Sequence, residues 1–493
     1  MNRILLPLIA VSATVLTACG TGKSPNSLSA EPPRVSAPTL LAPINTPATA
    51  TQPALRGCSP RSVAPADDAT FLFTAALVDA SQHPDPGIIG PSGAAQGRLY
   101  LGPGAYGFGP ITMPSNVRLE IAPGATLHPI HGPAASSSKD WGLFTFGTET
   151  TAASNITITA GDGCGGTGMP EPANKPSNTG FRGNTLTGGM ANMSIPLAGW
   201  NTDAMWVLDI DPGHAQVNVQ VTGFLFHWAY DIDIQHVFSI QNAARAATGI
   251  GPVAGQTSRT TAMMFDPLEG MAYQPDREQA RLPHRITVTD HYNILAPSGQ
   301  GANQIRSCMD CHFERIFSHG GDALRVETDG IRTTSGDCSA TGPHGVGWNT
   351  YAIVDQLDAH DIVGAYGNRT VQLTPHCLDN GVVRIDGVSG YSQGEVVVAV
   401  DREGGSASGG FAVGSYVRNV TGCAGQTAQD PHPDADSYLI IPSLAGASDT
   451  SPGVVFSGTW SWPTVGSAGG LADGAFATSA AVVQHPASCS LPG

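Results

Sequence analysis

Short runs of alternating apolar and polar residues recur along most of this chain, and they constrain its fold more than any other feature. They follow turn residues and lack the amphipathic helices that would connect parallel strands in an α/β protein. Their spacing is irregular, often roughly twenty to thirty residues, which is typical of a solenoid. The runs cover residues 98–101, 116–121, 155–159, 216–221, 231–234, 285–288, 312–316, 360–363 and 382–385. We therefore predict an all-β fold, a parallel β-helix.

One helix is predicted near the start of the solenoid, over residues 67–79, with two aspartates at its beginning and an apolar face below. We expect it to cap the N-terminal end of the β-helix. The segments 101–106 (LGPGAY) and 116–127 (NVRLEIAPGATL) resemble the first coils of pectate-lyase-like β-helices. This resemblance implies a right-handed solenoid and carries no information about substrate.

Residues 241–283 break the strand rhythm and carry scattered charge with proline and glycine. We interpret them as an insertion loop, which would either wall a substrate groove or form a plain surface excursion. The predicted β-helix catalytic domain covers residues 58–425, and residues 426–493 are predicted to form the last coils or a C-terminal cap.

The N-terminus has the pattern of an export signal. A basic start is followed by an apolar run from Ile4 to Leu16, which is too short to span a bilayer. The sequence Leu16-Thr17-Ala18-Cys19 resembles the lipobox of bacterial lipoproteins, which implies a signal peptide over 1–18 and a lipid on Cys19. Residues 19–57 are rich in Pro, Ser, Thr and Ala and predict a tether. The resemblance implies a lipoprotein of the outer membrane or cell surface, on either the outer or the periplasmic side.

Eight cysteines remain after Cys19, an even number in an exported chain, so we expect disulfide bonds. The Cys308-x-x-Cys311-His312 cluster leaves zinc as an alternative, although no second pair has finger-like spacing. The eight are Cys58, Cys164, Cys308, Cys311, Cys338, Cys377, Cys423 and Cys489.

The formal net charge of −16 makes nucleic acid an improbable partner. Low charge density and 61 glycines favour many short strands and turns over helical bundles. We expect a monomer.

The segment 320–329, GGDALRVETD, predicts a strand that brings two carboxylates to one surface. Because side chains alternate along a strand, Arg325, Glu327 and Asp329 share the outward face. Their inward neighbours are Leu324, Val326 and Thr328. Two residues of strand separate the carboxylates by roughly 6.6 Å, at the lower end of the roughly 6.5–9.5 Å used by inverting glycosidases. An isolated E-x-D pair usually consists of two solvated surface residues. The surrounding sequence must therefore distinguish such a pair from a catalytic acid and base.

Upstream of that strand, residues 299–304 read GQGANQ. This G-x-G-x-x-Q context, followed by G-G-x-A-L-R-x-E-T-D, resembles the catalytic region of the iota-carrageenases, glycoside hydrolase family 82. The resemblance implies a right-handed β-helix that cleaves β-1,4 bonds of a sulfated red-algal galactan with inversion and without a required cofactor. It also implies Glu327 as proton donor, Asp329 as the base that activates water, and Gln304 as an amide that holds that water.

The resemblance further implies an assisting histidine, for which His360 is the first candidate and His344 the second. Arg325 projects beside Glu327, where it would bind a substrate sulfate or shift the pKa of the carboxyl group. A close guanidinium lowers a carboxyl pKa, which is the wrong direction for a general acid because that group must keep its proton. Arg306 and Arg315 would extend a cationic strip, unless they form surface ion pairs with Asp310 or Glu314. The protein has few cations for a polysulfated substrate, with 23 Lys plus Arg against 39 Asp plus Glu.

Two other kinds of enzyme and one non-enzymatic function remain open. Asn201-Thr202-Asp203 matches one polygalacturonase motif, but the later motifs are not found in order, so we interpret it as a turn. A polysaccharide lyase would need a base and either calcium or a basic residue, and no clear cluster of calcium carboxylates is evident; structural calcium or other ions remain compatible with the sequence. A lipid-tethered carbohydrate-binding solenoid would not depend on Glu327.

The lipobox interpretation predicts that Cys19→Ala either blocks processing of the exported chain or releases it from the membrane, because the acyl chains attach to that thiol. Fractionation of cells that express wild type and variant measures this directly. Equal amounts of both proteins in the soluble fraction after export would contradict the prediction.

Overall fold

In this computed structural model the chain divides after Pro53, and all described residues lie in the second unit. The structure describes residues 61–130, 141–148, 150–162, 205–210, 221–241, 261–266, 281–294, 301–328, 353–365, 369–374, 379–393, 396–400, 410–412, 414–424, 438–441 and 454–461. The predicted signal peptide, Cys19 and the tether lie outside these ranges. Among the helices in these ranges, none is long and apolar enough to cross a membrane.

The structure contains one helix and many short strands in these ranges. The first half has β1 Arg61–Val63, α1 Thr70–Gln82, β2 Asp85–Ile89, β3 Ala95–Leu101, β4 Gly104–Phe108, β5 Ile111–Met113, β6 Val117–Ile121, β7 Ala125–Pro129, β8 Trp141–Phe146, β9 Ala153–Ala160, β10 Trp206–Asp209, β11 Val221–Phe226, β12 Ala229–Ile240 and β13 Thr261–Phe265. The second half has β14 His284–Ile294, β15 Gly301–Ile305, β16 Cys308–Met309, β17 His312–His319, β18 Asp322–Glu327, β19 Val354–Asp355, β20 Leu357–Ala365, β21 Arg369–Thr374, β22 Asp379–Asn380, β23 Val383–Gln393, β24 Val396–Val400, β25 Gly410–Phe411, β26 Ser415–Ala424, β27 Tyr438–Ile441 and β28 Val454–Ser461.

These strands stack as successive coils of a solenoid. The larger sheet runs through β9, β12, β14, β17, β20, β23 and β26, and the smaller sheet runs through β8, β11, β13, β15, β18, β21 and β24. Strand pairing in the described ranges is parallel except between β2 and β3. The fold is a right-handed parallel β-helix, which confirms the predicted fold class.

Each long strand of the larger sheet turns a corner at a residue with positive φ. The residues at one corner are in register from coil to coil: His236, Asp290, Arg315, Asp361, Gly387 and Asn419. A non-glycine residue in this conformation costs on the order of 1–3 kcal/mol, so the surrounding contacts must hold it. Arg315 Nε and Nη2 donate to the Asp290 carboxylate at 2.6 and 3.1 Å, which ties two coils together at this corner.

The interior of the coil is filled by equivalent side chains stacked on each other. Phe146, Phe226 and Phe265 lie in one column, with ring centroids 4.5 and 4.6 Å apart, and the next coils place Ile305 and Val326 there. All five side chains belong to the main hydrophobic core. This column supports the ends of the strands that carry the candidate site.

The predicted cap is present as α1, which begins at Thr70 and ends at Gln82, three residues later than predicted at each end. The backbone N–H of Thr70 donates to Asp68 Oδ1 at 3.0 Å. Phe73 and Leu77 are buried against the first coils, whereas Phe71 is 78% exposed. The face of α1 that packs on the coils is therefore narrower than the number of apolar residues in the helix indicates.

The segment 241–283, which the sequence predicts as an insertion loop, contains strand β13. This strand pairs in parallel with β11 and β15 in the smaller sheet. Every residue of β13 is buried, so the segment Thr261–Phe265 lacks the polar alternation by which the other strands are recognised. The insertion prediction is wrong for these five residues.

A buried polar network connects the larger sheet to the smaller one. Ser239 Oγ lies 2.8 Å from His291 Nε2, and His291 Nδ1 lies 3.2 Å from Asn303 Oδ1. Asn303 Nδ2 donates to the carbonyl of Ala323 at 3.2 Å. His291 is in register with Val237 and Ile316 of the apolar core, so a hydrogen-bonded imidazole takes the place of an aliphatic side chain. The network holds β15 and β18 at fixed positions.

The buried imidazole predicts a loss of stability in acid. Burial lowers the pKa of His291 from 6.5 to about 4, so below pH 6.5 the unfolded chain binds a proton that the folded chain excludes until about pH 4. The free energy of unfolding therefore decreases as the pH is lowered from 6.5 to about 4, and His291 contributes about 3 kcal/mol to this loss. His291→Gln, which does not titrate, should flatten the dependence of the urea midpoint on pH. An unchanged dependence would contradict the prediction.

Candidate active site

Strand β18 carries the central residues of the candidate site. Leu324 and Val326 belong to the hydrophobic core, and Arg325 and Glu327 project from the opposite side, each with 15% of its side chain exposed. This confirms the predicted orientation of these four side chains. Asp329 lies outside the described residues, so its place beside Glu327 stays a prediction.

The carboxylate of Glu327 is held from two directions. Arg325 Nη2 lies 2.6 Å from Glu327 Oε2, and Gln304 Nε2 donates to the same oxygen at 3.3 Å. Gln304 is in register with Arg325 in the parallel pairing of β15 with β18. The structure thus brings together three of the residues that the sequence analysis selected, from two different coils.

The amide oxygen of Gln304 has a distinct environment. This atom is buried, and no donor among the described residues contacts it. Its amide nitrogen faces Glu327, so Gln304 presents both a donor and an acceptor at the carboxylate. The oxygen is therefore a buried acceptor that no described donor satisfies, as expected for a group that takes up its partner when the site is occupied.

A second carboxylate, Asp322, lies on the same side of β18 as Glu327. Ala323 and Leu324 both belong to the core, so strict alternation slips by one residue and Asp322 faces the same side as Arg325. Asp322 is fully buried, and Arg369 Nε of the next coil lies 3.5 Å from its Oδ1. Burial raises the pKa of Asp322 above its ordinary value; the positive charges of Arg369 and Arg325 oppose this rise, and the charge of Glu327 adds to it.

Sequence reasoning misses Asp322 and Arg369. Asp322 is the variable residue of the G-G-x-A-L-R motif, and strict alternation assigns it to the interior. Arg369 lies one coil further on and belongs to no motif. Only the register of β18 with β21 shows that the two side chains meet.

Arg306 lies at the end of β15, beyond Gln304. Its Nη1 donates to Asp266 Oδ2 at 3.2 Å, and the carbonyl of Asp266 lies 2.6 Å from His227 Nδ1. Arg306 therefore pairs with Asp266 of the previous coil. Burial lowers the pKa of His227.

Arg315 and His360 are placed elsewhere. Arg315 occupies a corner of the larger sheet, paired with Asp290 and Glu314, and does not lie in a cationic strip with Arg325. Its positive φ turns the chain between two faces, which local sequence does not reveal. His360 is also in the larger sheet, between Glu314 and Asp386 in register, with its ring 5.6 Å from His312. The structure does not bring these two residues together with Glu327, and His344 lies outside the described ranges.

Cys308 and Cys311 form a disulfide between β16 and the start of β17, and both are buried. This agrees with the disulfide prediction for one pair and assigns these two thiols to each other and not to zinc. The other six cysteine side chains lie outside the described parts. Within the described parts, no group of three or more His, Cys, Asp or Glu side chains is arranged to hold a metal ion.

Comparisons with known proteins give structural similarities only. No family model matches the chain, and no curated protein matches it. Among solved structures, it is similar to a 1,3-α-1,4-β-D-galactose-4-sulfate-3,6-anhydro-D-galactose-2-sulfate 4 galactohydrolase, with 17% identity and a TM-score of 0.45 over 72% of this chain and 67% of that one.

The chain is also similar to an iota-carrageenase of glycoside hydrolase family 82 from A. fortis, with 16% identity and a TM-score of 0.43 over 70% of this chain. That alignment covers 56% of the A. fortis chain. A polygalacturonase from Erwinia carotovora ssp. carotovora is 12% identical, with a TM-score of 0.36 over 84% of this chain and 97% of that one. The function proposed below therefore rests on the residues of this chain.

Proposed function

We propose that this protein is an inverting glycoside hydrolase that cleaves β-1,4 bonds within a sulfated red-algal galactan of the iota-carrageenan type. One observation carries the proposal: Glu327 of the GGDALRVETD motif projects outward and is held by Gln304 of the preceding coil at 3.3 Å. These are two of the residues that the resemblance to iota-carrageenases assigns to catalysis, and they meet although 23 residues separate them.

In the proposed reaction, Glu327 donates its proton to the glycosidic oxygen as the bond to the anomeric carbon breaks. Asp329 takes a proton from a water molecule, whose oxygen attacks the anomeric carbon from the opposite side. The Gln304 amide oxygen, which no donor among the described residues contacts, supports a role in holding that water. The products are two shorter chains, and the new reducing end has the inverted configuration. No cofactor enters the reaction.

The charges of the site bear on the choice of substrate. Arg306, Arg325 and Arg369 belong to strands or strand ends of the smaller sheet, in a protein with a net charge of −16. Each also has a carboxylate neighbour, respectively Asp266, Glu327 and Asp322. A sulfate ester would have to compete with these carboxylates, so a galactan with fewer sulfates than iota-carrageenan is also a candidate substrate.

Export, a lipid on Cys19 and attachment to a membrane are part of the same proposal, supported by the N-terminal sequence. A tethered hydrolase would act on a polymer at the cell surface and release oligosaccharides close to the cell. The assisting role of His360 is supported by the resemblance alone, because its strand, β20, belongs to the larger sheet and Glu327 belongs to the smaller one.

The proposal predicts that both carboxylates are required. Glu327→Gln removes the transferable proton and Asp329→Asn removes the base, so each should lower kcat by about 10²–10⁴-fold. Reducing-end release from red-algal galactans of graded sulfation measures this, with pectin as the comparison substrate. Thr374→Val, next to Glu327 in register, is the matched control because it alters the same outer face without removing a carboxylate. Full activity in Glu327→Gln would identify the carboxylate as an ordinary surface residue.

The stereochemistry provides a separate prediction. Direct displacement by water gives products whose new anomeric centre is inverted, which proton NMR detects before mutarotation. Retention would exclude direct displacement and imply a covalent intermediate. An unsaturated product, detected by its ultraviolet absorbance, would identify a polysaccharide lyase instead.

A further inference from the structure

Arg281 differs from the other arginines in the described ranges. Each of the others lies within 3.5 Å of a carboxylate oxygen: Arg61, Arg98, Arg118, Arg285, Arg306, Arg315, Arg325, Arg369, Arg384 and Arg418. Arg281 is exposed, and no carboxylate in the described ranges pairs with it. Carboxylates are plentiful in a protein with a net charge of −16, so this exception is informative. A guanidinium that is not committed to a carboxylate is available to an anionic ligand.

The guanidinium of Arg281 is held by an aromatic ring. Its Cζ lies over the indole of Trp228, 4.9 Å from the ring centroid, in a cation–π contact. Such a contact restrains the long side chain and leaves N–H groups at the edge of the guanidinium able to donate to an oxyanion. A side chain that is already restrained loses less conformational entropy when it binds a ligand.

The pair lies at the edge of the smaller sheet that carries Glu327. Phe226 and Val326 belong to one core column, three coils apart. Glu327 directly follows Val326, and Trp228 lies two residues after Phe226. At the usual spacing of parallel strands, three coils correspond to roughly 14 Å along the solenoid axis. A ligand that reaches both places must therefore extend over several coils, as a polysaccharide chain does.

We propose that Trp228 and Arg281 form a distal subsite, which binds a sulfate ester of a polysaccharide whose scissile bond lies at Glu327. The position of the scissile bond rests on the proposed function, whereas anion binding by Arg281 does not. Arg281 donates hydrogen bonds to the sulfate oxygens, and no described carboxylate competes for its guanidinium. Arg306 and Arg325 are already paired with Asp266 and Glu327, so the distal subsite supplies attraction that they provide only in part.

The test is the affinity of the full-length protein for sulfated galactan fragments, measured by titration calorimetry. Glu327→Gln is present throughout, so that the fragments are not consumed. The further change Arg281→Gln should weaken binding about 3–10-fold, because a charge-assisted contact at an exposed position is lost. The difference should vanish with the same fragments after chemical desulfation. It should also shrink as salt is added, because salt screens an exposed charge.

Arg285→Gln is the matched control. Arg285 also lies over an aromatic ring, with Cζ 5.5 Å from the ring centroid of Tyr230, but its Nε donates to Asp231 Oδ1 at 2.6 Å. This variant removes the same unit of charge close by in the chain, and its affinity for sulfated fragments should stay near that of the parent. If Arg281→Gln has no effect, or if Arg285→Gln has an equal effect, the inference is overturned. An equal loss with pectin fragments, which carry carboxylates, would overturn the assignment to sulfate.

Kinetics separate this inference from the proposed function. If the wild type hydrolyses a sulfated galactan, Arg281→Gln should raise KM for long chains and leave kcat in place, because Arg281 is remote from the bond that breaks. Fragments too short to reach from Glu327 to Arg281 should lose nothing. Binding that depends on Arg281, with no hydrolysis in the wild type, would support the subsite and refute the hydrolase. Hydrolysis with binding and KM independent of Arg281 would do the reverse.

Discussion

The fold depends on one constraint, the in-register stacking of parallel strands in successive coils. Each residue lies against its counterpart in the coil before and the coil after, so one well-packed column fixes many positions at once. The column that contains Phe226, Phe265, Ile305 and Val326 is an example. Because Val326 is fixed in that column, its neighbours Arg325 and Glu327 are directed outward. The same register places Gln304 beside Arg325 without any local sequence signal that joins them.

Polar groups inside the coil stabilise the strands that carry the site. A purely apolar interior would impose no particular offset between the two sheets at this level. The hydrogen bonds from Ser239 through His291 to Asn303 impose one, because each group leaves a buried donor or acceptor without a partner if the strands shift. Asn303 directly precedes Gln304, so the network also limits where the Gln304 amide can lie. The interior and the outer face are coupled through adjacent residues of one strand.

The outer face combines opposite charges at short range. Arginines on an acidic protein would attract an anionic polymer, but paired arginines lose part of that attraction to their carboxylates. The pairing has a second consequence, since it places positive charge beside a carboxyl group that must hold a proton in the proposed reaction. Substrate binding and proton transfer would then depend on the same few charges.

The sequence alone determined the fold class, the capping helix and the outward direction of Arg325 and Glu327. These features follow from the spacing of apolar side chains, which repeats every two residues in a strand and every 3.6 residues in a helix. Such spacing can be read within a single segment of the chain. Tertiary structure decided the rest. Strand β13 was hidden because a strand buried on both faces has no alternation. Arg315 lies at a corner because contacts between coils hold its positive φ, and Asp322 faces outward because packing of both Ala323 and Leu324 into the core shifts the alternation by one residue. Such positions depend on neighbours that are distant in sequence, so no local pattern contains them.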